Sequence, residues 1–307
     1  MSFDSSKSLL QEVVHPDFLS RGITLFIKRD DLIHHFVSGN KWRKLKYNFQ
    51  QFYHSKKEQI ITFGGAFSNH LLATASACNL EKIPCIGIVR GEELKKNSND
   101  VLKKCADLGM KLHFISRMEY EMRSDKEYLE ELAVDYPNSF MVPEGGANYL
   151  GIIGCQEILS EIETEIDHVF VAQGTSTTSC GLLLHNSCKK LHVVPVLKGY
   201  DSFSEMRNLF FKAGIPSELV DELLCKVVVH EDYHFGGYGK WNDELLAFIE
   251  WCGVNYQLPL DKIYTAKAFS ALMDEVNKGS LDHQTVVFIH TGGLFTGYDS
   301  SGDLFRL

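Results

Sequence analysis

The feature that most restricts how this chain can fold is a recurring order of short apolar run, glycine turn and helical pattern. Four runs end in such turns: IITF (60–63) in GGAFSNH, FMVPE (140–144) in GGANYLG, HVFVA (168–172) in QGTSTTSCG and VVFIH (286–290) in TGG. Apolar runs of this length between helices are typical of parallel strands that are buried on both faces. We therefore predict an α/β fold with two open, doubly wound sheets, whose ligands bind at the carboxyl edge.

Other segments predict the rest of the architecture. Further strands are expected at 25–30, 82–89, 111–116, 191–197 and 226–230. Helices are expected at 71–80, at 99–110, from about Arg117 to Asp135, and near 150–163. The sequence has no repeats and no Pro/Gly/Ser-rich linker, so a domain boundary has to fall within ordinary loops.

Composition excludes several classes of protein. With 307 residues, of which 44% are hydrophobic, the chain can bury a substantial core. Its net charge of −9 gives no general attraction to nucleic acid or to an anionic membrane, and we expect neither as a partner. The first residues lack the apolar region of a secretory signal, and we expect a cytoplasmic protein. The eight cysteines form no C-x-x-C pair, which predicts free, buried thiols.

The loop GTSTTSCG (174–181) follows a predicted strand and precedes an apolar helical run. Backbone N–H groups, the helix dipole and several hydroxyls would together favour a bound phosphate. The loop matches neither G-x-x-x-x-G-K-[ST] nor G-x-G-x-x-G, so a nucleotide is not indicated. A single phosphate on a small cofactor is the functional interpretation, and an ordinary Ser/Thr helix cap is the alternative.

The segment SGNKWRKL (38–45) is a basic cluster at the start of a predicted helix. Small, glycine-flanked surroundings around Lys41 would suit a lysine that binds a carbonyl cofactor covalently, because the cofactor needs room around the amine. Taken alone, the same segment could be a solvated basic helix start.

A second motif points to different chemistry. His230-Glu231-Asp232-Tyr233-His234 matches the H-E-x-x-H pattern of zinc peptidases. That pattern requires a helix that places both histidines on one face. Here it follows the β-branched run KVVV and leads into FGGYG, and Lys240 occupies the place of the third ligand. We keep a zinc peptidase only as an unfavoured hypothesis.

Eight motifs along most of the chain carry a family resemblance. They are KRDDL (28–32), SGNKWRKL (38–45), GGAFSNH (64–70), PEGGANYLG (143–151), GTSTTSCGL (174–182), FGGYG (235–239), DKIYTAKA (261–268) and HTGG (290–293). Together they resemble the fold-type II, tryptophan-synthase-β-like enzymes that depend on pyridoxal 5'-phosphate (PLP). Within that superfamily the chain is similar to the 1-aminocyclopropane-1-carboxylate (ACC) deaminases and D-cysteine desulfhydrases.

The resemblance implies a domain organisation. Residues 1–44 and 151–307 would form a large PLP-binding domain, and residues 45–150 a smaller α/β domain inserted into it. The cofactor would lie in the cleft between the two, and the protein would be a homodimer.

The resemblance also implies residue roles. Lys41 would bind PLP covalently and, once released, carry protons as a free amine, whereas Lys44 would be a surface or packing residue. Asn69 would contact the ring oxygen of the cofactor, and Thr291 its ring nitrogen. The phosphate would be bound by the loop residues Gly174, Thr175, Ser176, Thr177 and Thr178.

Further roles concern the substrate. Ser68, Asn69 and His70 would bind its carboxylate, with Ser68 also counted among the catalytic residues. Tyr238 and Tyr264 match two active-site tyrosines of the family.

These residues favour one reaction among several. ACC deaminases have a glutamate after the tyrosine of the Y-x-G-K segment, where this chain has Thr265, and Ala266 replaces the glycine. The resemblance therefore favours conversion of D-cysteine to pyruvate, ammonia and hydrogen sulfide. The alternatives are ACC deamination, elimination from a related D-amino acid, and a catalytically silent protein that only binds PLP.

Overall fold

The computed structural model describes residues 5–294, which contain ten strands in two sheets. The strands are β1 (Leu10–Val13), β2 (Thr24–Lys28), β3 (Gln59–Gly64), β4 (Cys85–Arg90), β5 (Lys111–Ile115), β6 (Ser139–Val142), β7 (His168–Gln173), β8 (Lys190–Pro195), β9 (Val227–Val229) and β10 (Thr285–Ile289). The helices are α1 (Pro16–Leu19), α2 (Asn40–His54), α3 (Asn69–Glu81), α4 (Asp100–Asp107), α5 (Arg117–Glu121), α6 (Lys126–Asp135), α7 (Tyr149–Ser160), α8 (Thr177–Leu183), α9 (Ser202–Lys212), α10 (Ser217–Leu224), α11 (Asp243–Tyr256) and α12 (Thr265–Asn277).

The larger sheet has the strand order β1-β2-β10-β7-β8-β9, and the smaller sheet has the order β5-β4-β3-β6. All pairs are parallel except β1 with β2. In the central strand, Phe288 pairs with Ile27 on one side and with Phe170 on the other. The predicted α/β class with two open sheets is confirmed.

Helices cover both faces of the larger sheet. In β10, Val287 packs into the core formed with α7, α8 and α9, whereas Phe288 packs into the opposite core with α11 and α12. The Phe288 ring meets Phe269 edge to face, with centroids 5.1 Å apart. Full burial of one such side chain stabilises the fold by about 1.5–3 kcal/mol. The near-continuous apolar character of these strands follows from this two-sided burial.

The four strands of the smaller sheet all lie between residues 45 and 150, the range predicted for the inserted domain. Helix α2 runs without a break across the predicted boundary at 44/45 and packs against α7. The domain boundaries themselves stay a prediction.

Two local expectations were wrong. Residues 10–13 form an edge strand that the sequence analysis did not identify. The helix expected from Arg117 to Asp135 is two helices, separated by a 3₁₀ turn at Met122–Ser124. The break has a clear cause, because Asp125 adopts an extended backbone and its carboxylate accepts the N–H groups of Glu127 and Tyr128, which starts α6 anew.

Among the described residues, all eight cysteines are free thiols, and only Cys225 is exposed. No described helix has both the length and the apolar character needed to cross a bilayer.

Candidate active site

The carboxyl ends of three strands and the first turn of α2 meet around one cavity. Its inner part is lined by most of the predicted site residues, namely Lys41, Asn69, Gly174, Thr175, Ser176, Thr178, Tyr264 and Thr291. An adjoining outer part shares Lys41 and Tyr264 and adds Ser68, His70 and Tyr238. Thr177 lines neither part; it is fully buried, and its hydroxyl lies 3.2 Å from that of Thr175.

Two lysines of α2 lie together at the inner end of the cavity. Lys41 and Lys44 are one helical turn apart and hydrogen-bond to each other. Burial, together with the charge of Lys44, lowers the pKa of Lys41 well below its usual value, and burial likewise lowers the pKa of Lys44. Of the two roles expected for Lys44, surface or packing residue, the surface role was wrong, because its side chain is only 2% exposed. The side chain also lines the cavity, which the sequence analysis did not expect.

The start of α2 is pressed against the loop after β10. Gly39 has φ 58° and ψ −135°, and its neighbour Asn40 donates its backbone N–H to the Thr291 carbonyl oxygen. A Cβ atom added at Gly39 would lie 1.9 Å from that oxygen. The approach brings Lys41 and Thr291 to the same cavity, and only glycine allows it.

We expect Gly39→Ala to lower the free energy of unfolding by about 2–5 kcal/mol, because it adds backbone strain to a steric clash. The matched control is Gly199→Ala, at a glycine with φ +70° and no atom within 4 Å of an added Cβ. That variant should lose only about 1–2 kcal/mol from the left-handed backbone. Urea unfolding of both variants measures the difference. Equal losses in the free energy of unfolding would show that the structure around Gly39 accommodates the added methyl group without further destabilisation.

Protein partners already use several hydroxyls of the Gly/Ser/Thr loop. The Ser176 hydroxyl accepts from the Gln173 side chain at 3.0 Å and lies 2.9 Å from the Tyr200 hydroxyl. Thr178 Oγ1 accepts a hydrogen bond from Asn40 at 2.9 Å. Ser176 also has a left-handed backbone, with φ 57°, which is unusual for a residue with a side chain. These bonds fix the shape of the loop, so that backbone N–H groups at the start of α8 are the remaining donors for an anion.

The Ser179 hydroxyl, which the sequence analysis did not single out, is better suited to bind an anion than the loop hydroxyls that already have protein partners. Ser179 Oγ is buried, lines the inner cavity and has no hydrogen-bond partner. It lies one residue beyond the loop positions that were singled out. Its position in the first turn of α8 was the signal that could have identified it.

The loop before α3 presents unused acceptors. Ser68 caps α3, its hydroxyl accepting the Leu71 N–H at 3.2 Å. Asn69 is 9% exposed, and its Oδ1 atom has no partner. Such a buried, unpaired polar atom in a cavity wall indicates a place where a ligand supplies the missing hydrogen bond.

The tautomer of His70 follows from its neighbours. Thr62 Oγ1 donates its one proton to the Val142 carbonyl oxygen at 2.7 Å, so it must accept from His70 Nε2 at 2.8 Å. Nδ1 is then a bare acceptor, and it has no partner. Burial and the charges of Lys41 and Lys44 lower the pKa of His70 well below its usual value, which keeps the ring neutral.

This tautomer bears on the role expected for His70. A carboxylate accepts hydrogen bonds and cannot donate one to a bare nitrogen. The imidazole as placed would therefore accept from an amine, and carboxylate binding by Ser68 and Asn69 stays a prediction.

Two tyrosines line the same cavity as this loop. The Tyr264 ring lies against Gly174, where an added Cβ would be 3.3 Å from it, and its centroid is 6.2 Å from that of Tyr238. The two rings meet edge to face, and burial raises the pKa of both phenols. Asp261 fixes this segment, since its carboxylate accepts the backbone N–H groups of residues 263, 264 and 265.

Thr265, the residue on which the substrate argument depended, does not line the cavity. It is fully buried, and its hydroxyl donates to the Asp261 carboxylate at 2.7 Å. Its influence on the site therefore acts through the position of Tyr264.

Comparison with known proteins identifies the chemistry of this cavity. The family described as "Pyridoxal-phosphate dependent enzyme" matches residues 12–292, nearly the whole chain. The chain belongs to this family. Its cofactor is therefore PLP, and the family resemblance read from the sequence is confirmed.

Similar curated proteins indicate which group of PLP-dependent enzymes the chain belongs to. A putative 1-aminocyclopropane-1-carboxylate deaminase of Pyrococcus horikoshii is 32% identical over 280 residues, which cover 89% of this chain and 85% of the relative. A bifunctional D-cysteine desulfhydrase/1-aminocyclopropane-1-carboxylate deaminase of Arabidopsis thaliana is 29% identical over 307 residues. The aligned region covers 92% of this chain and 75% of the relative. The crystal structure of an ACC deaminase homologue matches with a TM-score of 0.75 and 27% identity, covering 94% of this chain and 90% of that one. The protein is an enzyme of the ACC deaminase/D-cysteine desulfhydrase group.

The residues around the inner cavity fit PLP. The buried Lys44 and the partly exposed Lys41 lie there, so one amine can bind the cofactor covalently while the other donates to the phosphate, whose negative charge would favour the ammonium form. The unpaired Ser179 hydroxyl and the start of α8 can complete a phosphate site next to Lys44. The Asn69 amide can meet a ring oxygen, and Thr291 lines the same wall.

The H-E-x-x-H segment does not form a helix that could hold zinc. Residues Glu231–His234 make a single 3₁₀ turn with a kink at Tyr233. His230 Nε2 lies 2.9 Å from His192 Nδ1, whereas His234 Nδ1 accepts the Gly236 N–H. No set of three or more potential ligands within residues 5–294 is arranged to hold a metal ion.

Proposed function

We propose that this enzyme catalyses a PLP-dependent elimination from a small amino acid, with D-cysteine as the favoured substrate. The products would be pyruvate, ammonia and hydrogen sulfide. The observation that carries the proposal is that one cavity is lined by Lys41, an amine with a strongly lowered pKa, and by two tyrosines whose raised pKa keeps them protonated.

Bound PLP would supply the electron-withdrawing group that makes the α-proton of a substrate amino acid removable. The chain then has to supply a base near that carbon. Lys41 is suited to this because burial disfavours its ammonium form, so its Nζ atom can accept a proton near neutral pH.

The leaving sulfur needs a proton donor or a positive charge. The raised pKa of Tyr238 and Tyr264 keeps both phenols protonated. We infer that Tyr238, at 38% exposed the more accessible of the two, donates toward the leaving group. Tyr264 would hold Tyr238 in place through their edge-to-face ring contact.

Thr291 supports elimination over transamination. A hydroxyl beside the ring nitrogen can donate a hydrogen bond but carries no charge that would keep this nitrogen protonated. The electron-withdrawing power of the cofactor would then be limited, which favours loss of a β-substituent over prolonged stabilisation of negative charge.

ACC deamination is the second candidate, because the names of relatives support it equally. The Pyrococcus relative is named as a putative ACC deaminase, and the Arabidopsis relative carries both activities in its name. The missing glutamate after Tyr264 argues against this reaction here, since Thr265 is bonded to Asp261 and is withdrawn from the cavity.

We expect purified enzyme to release pyruvate from D-cysteine, together with sulfide, at least about 10-fold faster than it releases pyruvate from L-cysteine or D-serine, and to release little ammonia from ACC. Product assays with these four compounds check this, with Lys41→Ala as the inactive control. Ammonia from ACC alone would overturn the preference for D-cysteine, and bound PLP without turnover would indicate the silent binding protein.

A homodimer and a cytoplasmic location remain our proposals for the assembled enzyme. A small amino acid as substrate is consistent with the family.

A further inference from the structure

Arg90 stands at the mouth of the cavity on the smaller sheet. It is the last residue of β4, and so lies at the carboxyl edge where ligands of parallel sheets bind. Its side chain is exposed and lines the outer part of the cavity together with Lys41, Ser68 and His70. None of the roles assigned above uses it.

Its charge is not neutralised within residues 5–294. No carboxylate in that range forms an ion pair or hydrogen bond with Arg90, whereas the neighbouring Arg123 is paired with Glu144. The opposite rim, on α9, contributes Glu205 and Lys212, one charge of each sign. Arg90 therefore leaves the mouth with an unpaired guanidinium.

The guanidinium is nevertheless held in place. It lies over the Tyr120 ring, 5.8 Å from its centroid, and the Tyr120 hydroxyl donates to Glu144 at 2.7 Å. A cation–π contact of this kind restrains the side chain without satisfying its hydrogen-bond donors. Arg90 is thus held in position, with its donors free to meet an incoming anion.

Two observations place its donors at the substrate side of the cavity. Nη2 lies 3.8 Å from the position of a Cβ atom on Gly65, in the loop that leads to Ser68. The charge of Arg90 also acts on Tyr238, where it opposes the rise in pKa caused by burial. The guanidinium therefore lies beside the loop proposed to bind the α-carboxylate and within electrostatic range of the tyrosine proposed to serve the leaving group.

We propose that Arg90 binds a negative charge on the side chain of the substrate, so that amino acids with an acidic β-substituent are preferred over their neutral counterparts. The inference rests on the proposed elimination and adds a substrate class to it. The Cα–H and Cβ–S bonds break, the thiol leaves with its acidic group, and water converts the remaining fragment to pyruvate and ammonia. Arg90 takes no part in bond breaking and sets only which substituent is bound.

The test compares two substrates that differ in one charge. S-carboxymethyl-cysteine carries a carboxylate on the leaving side, and S-carbamoylmethyl-cysteine replaces it with an amide of nearly equal shape. Pyruvate release from both, in the configuration that the enzyme accepts, gives kcat/KM for the wild type, Arg90→Gln and Arg90→Lys. Arg117→Gln is the matched control, because it removes an exposed arginine that is paired with Glu93 and does not line the cavity.

We expect the wild type to prefer the acid by at least about 10-fold, as a charge-assisted hydrogen bond allows. Arg90→Gln should lower kcat/KM for the acid by about 10- to 100-fold and for the amide by less than about 3-fold. Arg90→Lys should keep part of the preference, since it retains the charge but not the paired donors. Arg117→Gln should change neither value.

Equal losses for acid and amide in Arg90→Gln would overturn the inference, because Arg90 would then bind the α-carboxylate common to both. Equal rates for the two substrates in the wild type would overturn it as well. If D-cysteine and both analogues give no pyruvate, the proposed elimination fails. The role of Arg90 is then tested separately, by measuring how strongly acidic and neutral amino acids bind. In that case aspartate should raise the Tm of the wild type more than asparagine does, and this difference should vanish in Arg90→Gln; an unchanged difference rejects the role.

Discussion

Lys41→Ala should abolish the visible absorption band of the lysine-linked cofactor and lower turnover at least about 1,000-fold. The variant removes both the covalent anchor and the base whose pKa burial has lowered. Lys44, one turn further along α2, is the other amine of the described chain that lines the inner cavity. Absorption spectra before and after borohydride, with peptide mapping of the reduced adduct, measure the first effect, and pyruvate release measures the second.

Lys44→Met is the control that separates the two buried lysines. If Lys44 serves the phosphate, this variant should bind PLP more weakly but still show the band when the cofactor is supplied in excess. A borohydride-stable adduct on Lys44 in the Lys41→Ala protein would contradict the assignment and exchange the roles of the two residues.

The parts of the site that could be predicted from the sequence are those that depend on local pattern. Glycine after an apolar run marks the carboxyl end of a strand, and in a parallel sheet such ends meet at one edge. This argument placed the loops that carry Asn69, Gly174 and Thr291 at the ligand-binding edges of the sheets, and the family resemblance then assigned these residues to one cofactor. The structure brings them together with Lys41. The fold class follows from the same runs, because two-sided burial requires helices on both faces.

What the sequence could not supply depends on contacts between distant segments. The burial of Lys44 results from α2 packing against the loop at Gly146, 102 positions away in sequence, where an added Cβ would lie 2.9 Å from Lys44 Cβ. The tautomer of His70 depends on a hydroxyl of β3 and a carbonyl of β6. Neither could be read from periodicity. Arg90 was missed for a similar reason, since a lone arginine after an apolar run is usually a solvated strand end.

A buried ion network orients the helix that carries Lys41. Arg43 is fully buried, and its guanidinium donates to Asp30 at 2.9 and 3.0 Å and to Glu161 at 2.5 and 2.7 Å. Lys28 also donates to Glu161, at 2.6 Å. The network ties the segment after β2 and the end of α7 to the first turns of α2. Two positions separate Arg43 from Lys41, so any tilt of this helix moves the amine.

We expect Arg43→Met to lower the free energy of unfolding by about 3–5 kcal/mol, because it leaves the buried Asp30 carboxylate and the partly exposed Glu161 carboxylate with Lys28 as their remaining cationic partner among the described residues. Methionine keeps much of the apolar volume, so the loss reports mainly the missing charge. The matched control is Arg207→Met. Arg207 forms an ion pair with Asp221, and the side chains of both residues are more than half exposed. An exposed pair is worth about 0–1 kcal/mol, and urea unfolding should separate the two variants clearly.

The pH dependence of this loss distinguishes charge from packing. Burial would raise the pKa of Glu161, but hydrogen bonds and charge from Arg43, with Lys28, outweigh it and hold the pKa at about 2. A carboxylate with a lowered folded-state pKa stabilises the protein above its unfolded value of about 4.3 and loses that contribution as pH falls toward 2. The difference in stability between wild type and Arg43→Met should therefore shrink between about pH 4.5 and pH 2. If the difference in unfolding free energy stays constant over this range, Arg43 stabilises the protein through packing alone. The position of the helix that carries Lys41 would then depend on side-chain packing and not on the ion pairs.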